Sequence, residues 1–571
     1  MKRGVVSFND MFRRRLVVVF TVFLVAVLGI ESRFIYLQVV ARTTLVNKAN
    51  QQLETDSIPI KAKRGMILDS TGRVLAQDVA TWSLGLYMKE VKDPHLTAAR
   101  IAPVIKASVT QLEKQIRSAS SSLTSFIYLK KQVGVVEYDA LGQLDVPGIV
   151  LDKGYRRVYP LGALMSSVVG VTGSDNQGLS GIEFQYDKEL GGTDGRHTYR
   201  VSGSNPGEPA VTEDVLEPIP GKNIVLTIDS NIQYFAQQAL MDTLKTYDGK
   251  RATCTILDPK TDAVLAMVDV PSVDPEHWQD APMSSLSEKA ISANYEPGSV
   301  FKAATSVAGL ETGTITLQST FYSGGSLKVF DTVVHDLYPY GTMNLYAMLE
   351  HSSNVAFCQL SMKIGATRFY DCLSRYGFGK PTGIDLPGEE SGILLPTSLW
   401  SKTTLPTMGF GQGVAVTAIQ MANFYATIAN GGLMQRPYVV DHIVDASGAS
   451  QRTDVPGVVG QLFKPETAKA VLEGLHGVVQ KDIGVFSAYI PGYEVAGKTG
   501  TAQIAAPGGG YLTDGSYVFS FAGILTANDP RVVVFLSIHE TRKGARTSFL
   551  VAGPTFKKIA LQLIQYLRLK P

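Results

Sequence analysis

A mixed α/β protein built on an antiparallel sheet, behind one apolar N-terminal helix, is the fold class that this sequence predicts. Three features carry the prediction. An apolar run, "LVVVFTVFLVAVLGI", fills residues 16–30 directly after a basic cluster. Strand-like runs joined by tight turns then recur in the early and the late parts of the chain. Between them lies a stretch with helical spacing, so that strands flank a helical middle.

With 571 residues the chain has room for two or more domains and a sizeable core. Its 45% hydrophobic and 18% charged residues are those of a globular protein. A net charge of +2, with no basic stripe, argues against a nucleic-acid binder. No Cys/His cluster has zinc spacing. Cys254, Cys358 and Cys372 are odd in number and scattered, which fits buried thiols better than a disulfide framework.

Lys2, Arg3, Arg13, Arg14 and Arg15 precede the apolar run, which places the N-terminus in the cytoplasm and the remainder outside. Fifteen residues rise only about 22 Å, short of a ~30 Å hydrocarbon core. Snorkelling arginines and the following "FIYLQVV" can supply the difference. A cleaved signal peptide is the alternative, with "VVA" ending at Ala41 as its processing site. "RGMILDSTGRVLA" at 64–76 reads as strand, turn, strand, bent at Ser70-Thr71-Gly72. The Pro/Gly break in "PIPGKNIVLTIDSNIQYFAQQAL" marks a boundary near residue 220 and leads into a strand, an Asp-Ser cap and an amphipathic helix. "RATCTILDPKTDAVLAMV" follows as a hairpin that turns at 258–262. "YEVAGKTGTAQI", "SYVFSFAGIL" and "RVVVFLSIHE" are three further strands, and a helix at 553–569 closes the chain.

Chemistry enters at "YEPGSVFK". The Pro-Gly break lets Ser299 open a helix, and Lys302 falls on the same face one turn later. Alone, such a pair is an N-cap and a solvated charge. Further on come "HSSN", with Ser352 and Asn354 ahead of a helical run, and "AGKTGTAQ", with Lys498-Thr499-Gly500-Thr501 on a strand. Each of these also has a bland reading, as a helix cap or an exposed strand end. Together, in this order, they match the Ser-x-x-Lys, Ser-x-Asn and Lys-Thr-Gly set of serine acyltransferases that react with penicillin.

These residue types suit that chemistry. A serine hydroxyl needs a base, and Lys302 can be one if it is neutral, a state favoured by a helix N-terminus and by a cation such as Lys498. Ser352 can relay the proton, and Asn354 can hold a substrate amide. Lys498 and Thr499 suit a terminal carboxylate, and Gly497 and Gly500 clear the strand so that a peptide can pair with its edge. Backbone N–H groups of Ser299 and Thr501 then form the oxyanion hole.

The chain resembles the class B penicillin-binding proteins, monofunctional D,D-transpeptidases of peptidoglycan. The resemblance runs over nearly the whole length. It takes in the N-terminal anchor, "RGMILDSTGRVLA", "YRRVYP", "GLSGIEFQYDKEL", the catalytic motifs, "FGQG" and "ANGG". "YEPGSVFK" and "HSSNVAF" look most like the division-type, FtsI-like subgroup. Ser70, where many members have arginine, and a histidine-free "LMSSVVG" depart from it. The resemblance implies an antiparallel sheet flanked by helices, with an all-helical lobe, on an elongated β-rich pedestal. It implies residues 1–15 as a cytoplasmic tail, 16–40 as a transmembrane anchor, 41–220 as the pedestal and 221–571 as the transpeptidase domain. It implies stem peptides ending in D-Ala-D-Ala as substrates, β-lactams as acylating ligands, and no metal or organic cofactor. Its implied partners are a polytopic glycan polymerase of the FtsW/RodA kind and other divisome or elongasome membrane proteins.

Three competitors lack a feature or add none. A glycosyltransferase-bearing enzyme needs E-D-x-x-F, and here Glu213-Asp214 runs into Val215-Leu216-Glu217. A β-lactamase needs a deacylation base of the E-x-x-L-N type, absent between Asn354 and Lys498. A β-lactam sensor keeps the same motifs, and an elongation-type role is the alternative to septal synthesis.

Overall fold

Helix α1 (Phe8–Ile35) runs on through a π-helical turn, Tyr36–Val40, without a break, and this answers the length question left by the apolar run. Arg15–Gln38 gives a 24-residue span of mean hydropathy 2.1. At 1.5 Å per residue it reaches roughly 36 Å, enough to cross a hydrocarbon core. The helix passes through Glu31 and Arg33, where the sequence shows the apolar run ending. The structure is a computed structural model that describes residues 8–42, 55–121, 126–200, 211–452, 457–481, 485–506, 508–541, 543 and 547–571; Lys2 and Arg3 of the basic cluster lie outside them.

The chain divides into two compact units, residues 1–62 with 193–219 and residues 63–192 with 220–571. Residues 41–220, read above as one pedestal, therefore contribute to both. In the first unit Thr55–Ile60, Gly195–Arg200 and Val211–Leu216 form an antiparallel sheet of their own. Asp194 ties down its base by accepting from Lys61 Nζ and from the Ala62 amide, both at 2.8 Å.

In the second unit the predicted strand–turn–strand is Ile67–Leu68 followed by Val74–Tyr87. These strands join a seven-stranded sheet that also takes in Asn223–Leu226 and Val440–Val444. A separate core, with Leu84, Leu86, Ile101 and Ile116 at its centre, packs beneath the far end of that sheet. Charged residues of "RGMILDSTGRVLA", "YRRVYP" and "GLSGIEFQYDKEL" meet inside. Arg64 Nε and Arg157 Nε each donate to one oxygen of Glu183, both at 2.6 Å. Arg64 also reaches Asp187 at 2.6 Å, and Arg157 reaches Asp78 at 3.2 Å. Both arginines, Glu183 and Asp78 are buried.

A five-stranded sheet is made of β1 (Arg251–Leu257), β2 (Val264–Val270), β3 (Val495–Gln503), β4 (Tyr517–Leu525) and β5 (Val532–His539). Their order is β2-β1-β5-β4-β3, antiparallel throughout, with β3 at an edge. Helix α2 (Ser230–Tyr247), capped by Asp229, and the C-terminal helix Ser548–Leu567 pack on one face. Ala418–Ala429 covers the other. The C-terminal helix starts five residues before the predicted position, because Gly553-Pro554 reads as a break. Proline removes only one N–H, and the helix carries it inside. The helical lobe after Ser299 also bears a small β arm. In it Thr320–Ser323 pairs with Gly341–Asn344, and Ser326–Val329 pairs with Thr332–His335. Cys254, Cys358 and Cys372 are buried free thiols.

Glu183 bridges two buried guanidinium groups, so its removal leaves both short of a partner. Glu183→Ala should cost about 3–5 kcal/mol and lower the thermal midpoint accordingly, while Glu183→Gln should cost less. A midpoint within a degree or two of the parent would refute the network's structural role.

Candidate active site

The segment before Ser299 is held by backbone pairing. Tyr295 exchanges hydrogen bonds with Val416 at 3.0 and 2.9 Å, and Gly298 donates to the Gly411 carbonyl at 3.0 Å. Gly298 has φ +59, and a Cβ there would lie 2.7 Å from the Thr501 carbonyl oxygen. Only glycine fits both the conformation and the approach. That contact brings the Ser299 turn against strand β3, so the two backbones named for the oxyanion hole adjoin. Glu296 fastens the rim, accepting from the Gly413 amide at 2.8 Å and the Tyr511 hydroxyl at 2.9 Å. The "FGQG" and "YEPGS" strings are thus two segments hydrogen-bonded side by side.

Gly298–Phe301 forms a 3-10 turn, and helix α3 (Lys302–Glu311) begins at the lysine itself. Ser299 therefore stands in the turn ahead of the helix and makes no cap. Lys302 is 0% exposed. Its Nζ contacts the Ser352 carbonyl at 2.5 Å, Asn354 Oδ1 at 2.7 Å and Ser352 Oγ at 3.1 Å. Among the described residues no hydrogen bond joins the Ser299 hydroxyl to this amine. Catalytic contacts of that kind commonly tighten only around substrate.

Burial drives the Lys302 ammonium well below its ordinary range, the Lys498 charge depresses it further, and Asp336 pulls in the opposite direction. A neutral amine has two N–H donors and one lone pair. Here two pure acceptors, the Ser352 carbonyl and Asn354 Oδ1, match the donors, and the Ser352 hydroxyl faces what remains.

The sequence leaves Ser352 or Asn354 to cap the helix that follows; the cap is Ser353. Its Oγ accepts from the Ala356 amide at 3.0 Å, at the start of α4 (Asn354–Ile364). The side chains on either side of it are thereby released toward Lys302. Ser352 takes φ +52, a left-handed conformation uncommon for a residue with a Cβ.

Lys498 and Thr499 separate. Successive residues of a strand face opposite ways. Lys498 is 1% exposed, while Thr499 is half-buried and Thr501 exposed. Burial lowers the Lys498 ammonium to about 7. The strand's two-residue period thus turns Lys498 to the buried side and Thr499 to the other. Thr499 and Thr501 share a face, and Lys498 acts on Lys302 through its field. The two glycines of the strand pack inward. A Cβ on Gly497 would lie 2.7 Å from the Phe521 ring, and one on Gly500 would lie 2.8 Å from the Pro297 carbonyl oxygen. Both are required by inward packing. What leaves room for a peptide is the position of β3 at the sheet edge.

Asp336 was missed. It follows the short strand Thr332–His335, and no motif spells it out. Oδ1 accepts from the Asn354 and Val355 amides at 2.5 and 3.1 Å. Oδ2 accepts from the Ser353 and Ser323 hydroxyls at 2.5 and 2.6 Å.

Residues 252–561 match the penicillin binding protein transpeptidase domain, and residues 59–226 match the penicillin-binding protein dimerisation domain. The chain is 31% identical to penicillin-binding protein PbpB of Mycobacterium tuberculosis, over 95% of this chain and 84% of that one. It is 28% identical to peptidoglycan D,D-transpeptidase FtsI of Escherichia coli, covering 96% and 91%. The crystal structure of penicillin binding protein 3 from Mycobacterium tuberculosis, complexed with aztreonam, superposes with a TM-score of 0.69 at 28% identity, over 90% of this chain and 98% of that one. With a buried Lys302 beside Ser352 and Asn354, and both domain matches in order along the sequence, the chain belongs to the class B penicillin-binding proteins of the FtsI type.

Proposed function

We propose that this protein is a serine D,D-transpeptidase that cross-links peptidoglycan stem peptides in septal cell-wall synthesis. The observation that carries the reading is the fully buried Lys302 amine, in contact with Ser352 and Asn354. Ser299 Oγ attacks the carbonyl carbon of the D-Ala-D-Ala bond as Lys302 takes its proton. The backbone N–H groups of Ser299 and Thr501 stabilise the developing oxyanion. Ser352 passes the proton to the departing nitrogen, the C–N bond breaks and D-alanine leaves. An amine from a neighbouring stem then attacks the ester, and Ser299 regains its proton. Asn354 holds the donor's amide, the Thr499 and Thr501 hydroxyls take its carboxylate, and the glycine at 500 lets the strand close on the turn. Lys498 keeps the base uncharged. A β-lactam enters the same path and stays, because this chain has no base of the E-x-x-L-N type to activate water.

Residues 16–40 are the anchor of this scheme, 41–220 its pedestal and 221–571 its catalytic domain. Arg13 and Arg15 lie on the cytoplasmic side and everything beyond about residue 40 outside. Anchor and pedestal are the parts available to a glycan polymerase of the FtsW/RodA kind and to other divisome or elongasome proteins. The spelling of "YEPGSVFK" and "HSSNVAF" supports the septal role over an elongation role.

Intact-mass analysis after incubation with penicillin should show one adduct, mapped to the peptide carrying Ser299 and lasting from many minutes to hours. Ser299→Ala should lose it while keeping its fold; a full adduct in that variant would overturn the assignment.

Lys302→Arg should fail to acylate as well, since a guanidinium stays protonated and accepts nothing. Acylation within a few-fold of wild type would mean that position 302 supplies charge instead of basicity.

For the anchor, N-terminal sequencing of protein from isolated membranes should find residues 16–37 retained. A mature chain beginning near Arg42, or release by a high-salt wash, would identify the segment as an export signal.

A further inference from the structure

We infer that Asp336 is a positioning residue of the acylation site: its carboxylate fixes the strained Ser352-Ser353-Asn354 turn against Lys302 and supplies the negative charge that opposes Lys498 there. The inference rests on the transpeptidase reading. Its geometric basis is the clamp of four hydrogen bonds, two from backbone amides of α4 and two from hydroxyls. The amides belong to the first turn of an eleven-residue helix, where an anion is favoured. The clamp is itself held from behind. The Asp336 amide donates to Gly325 O at 3.0 Å, and Gly325 N donates to Ser323 Oγ at 3.2 Å. The Asn354 side chain is braced by the same arm, with Nδ2 donating to the His335 carbonyl at 3.1 Å while Oδ1 meets Lys302.

The turn needs such a brace. Ser352 at φ +52 sits in a conformation that persists only where its surroundings over-determine it. Ser352 presents both its carbonyl and its hydroxyl to the lysine, so any relaxation of the turn moves two of the three groups around Nζ. The middle serine is the mechanical link: Ser353 caps α4 and donates to Asp336 at once.

The charge has a second effect. Lys498 from the sheet and Asp336 from the arm are the charged groups that bear on Lys302, and they act in opposite directions. Ser352, Asn354 and the Phe357 ring beside it are neutral. His351 adjoins Ser352 in the chain and stacks on Tyr340 at 4.6 Å.

Two substitutions separate the clamp from the charge. In Asp336→Asn the amide oxygen still accepts from the two backbone N–H groups. The NH2 faces two hydroxyls that can rotate to accept, so the turn is kept and the charge removed. In Asp336→Ala both are lost. Acylation of the full-length, detergent-solubilised chain by a fluorescent penicillin would be followed as a function of pH, in wild type and in a His351→Gln background. Removing the negative charge makes Lys302 easier to deprotonate, so Asp336→Asn should shift the acid limb to lower pH by roughly half to one unit. Asp336→Ala should lower the plateau rate by roughly 10–100-fold relative to Asp336→Asn. An Asp336→Asn limb that stays in place or moves to higher pH overturns the electrostatic role. An Asp336→Ala plateau equal to that of Asp336→Asn overturns the clamp. Should the alanine variant fail to fold by circular dichroism, the limb position in Asp336→Asn decides alone. A wild-type chain that takes up no penicillin would refute the transpeptidase reading instead, a separate result.

Discussion

Burying the amine of Lys302 constrains the rest of this site. An ammonium removed from water loses hydration worth several kcal/mol, and a folded chain avoids that loss by pairing the charge or discarding the proton. No carboxylate touches Nζ among the described residues; its partners are a carbonyl, an amide oxygen and a hydroxyl. The neutral form is the one that fits. An amine kept neutral, with two acceptors for its hydrogens and a lone pair to spare, is a base. The identity of 302 as lysine, the acceptors at 352 and 354 and the second buried cation at 498 all follow from that requirement.

Meeting it takes three distant parts of the chain. The lysine comes from the start of α3, its acceptors come from the turn before α4, and Lys498 comes from an edge strand of the catalytic sheet. Each is brought close by a local concession. Gly298 gives up a side chain so that the serine turn can touch β3, and Gly500 does the same from the other side. Ser352 accepts a left-handed backbone so that one residue can offer two oxygens to one nitrogen. These concessions cluster within one turn of the nucleophile, where strain is expected at a reacting site.

Much of this is legible in the sequence because it is local. The strands that carry the site read as short apolar runs, their turns are spelled by Asp-Pro and Pro-Gly, and three short motifs name seven of the residues. What is not legible is direction. "KTGT" does not say which way each residue faces, so Lys498 and Thr499 look like partners until the strand's period separates them. "SSN" does not reveal that the middle serine is the cap. "GP" at 553–554 looks like a helix start when it lies within one. Asp336 is hidden for another reason. It is an ordinary acid after a four-residue strand, and its importance comes from a fold-back onto residues 353–355 that no spacing announces. The Glu183 network is hidden in the same way, since Arg64, Arg157 and Glu183 lie far apart in sequence.

That network and the active site show two treatments of the same difficulty. In the region that matches the dimerisation domain, two buried guanidinium groups meet three carboxylates at 2.6–3.2 Å, so each cation has a direct anionic partner. Such an arrangement ties together the segments at 64, 78, 157 and 183–187. In the catalytic domain two buried ammonium groups, Lys302 and Lys498, share a neighbourhood in which Asp336 bears on Lys302 and touches neither. Burial is what depresses both lysines, and the Lys498 charge depresses Lys302 further. Had evolution supplied a carboxylate in contact with Lys302, the fold would gain an ion pair and lose its base. Compensated burial therefore fixes chain segments in the dimerisation-domain region, and uncompensated burial in the transpeptidase domain leaves amines whose protons are easily lost.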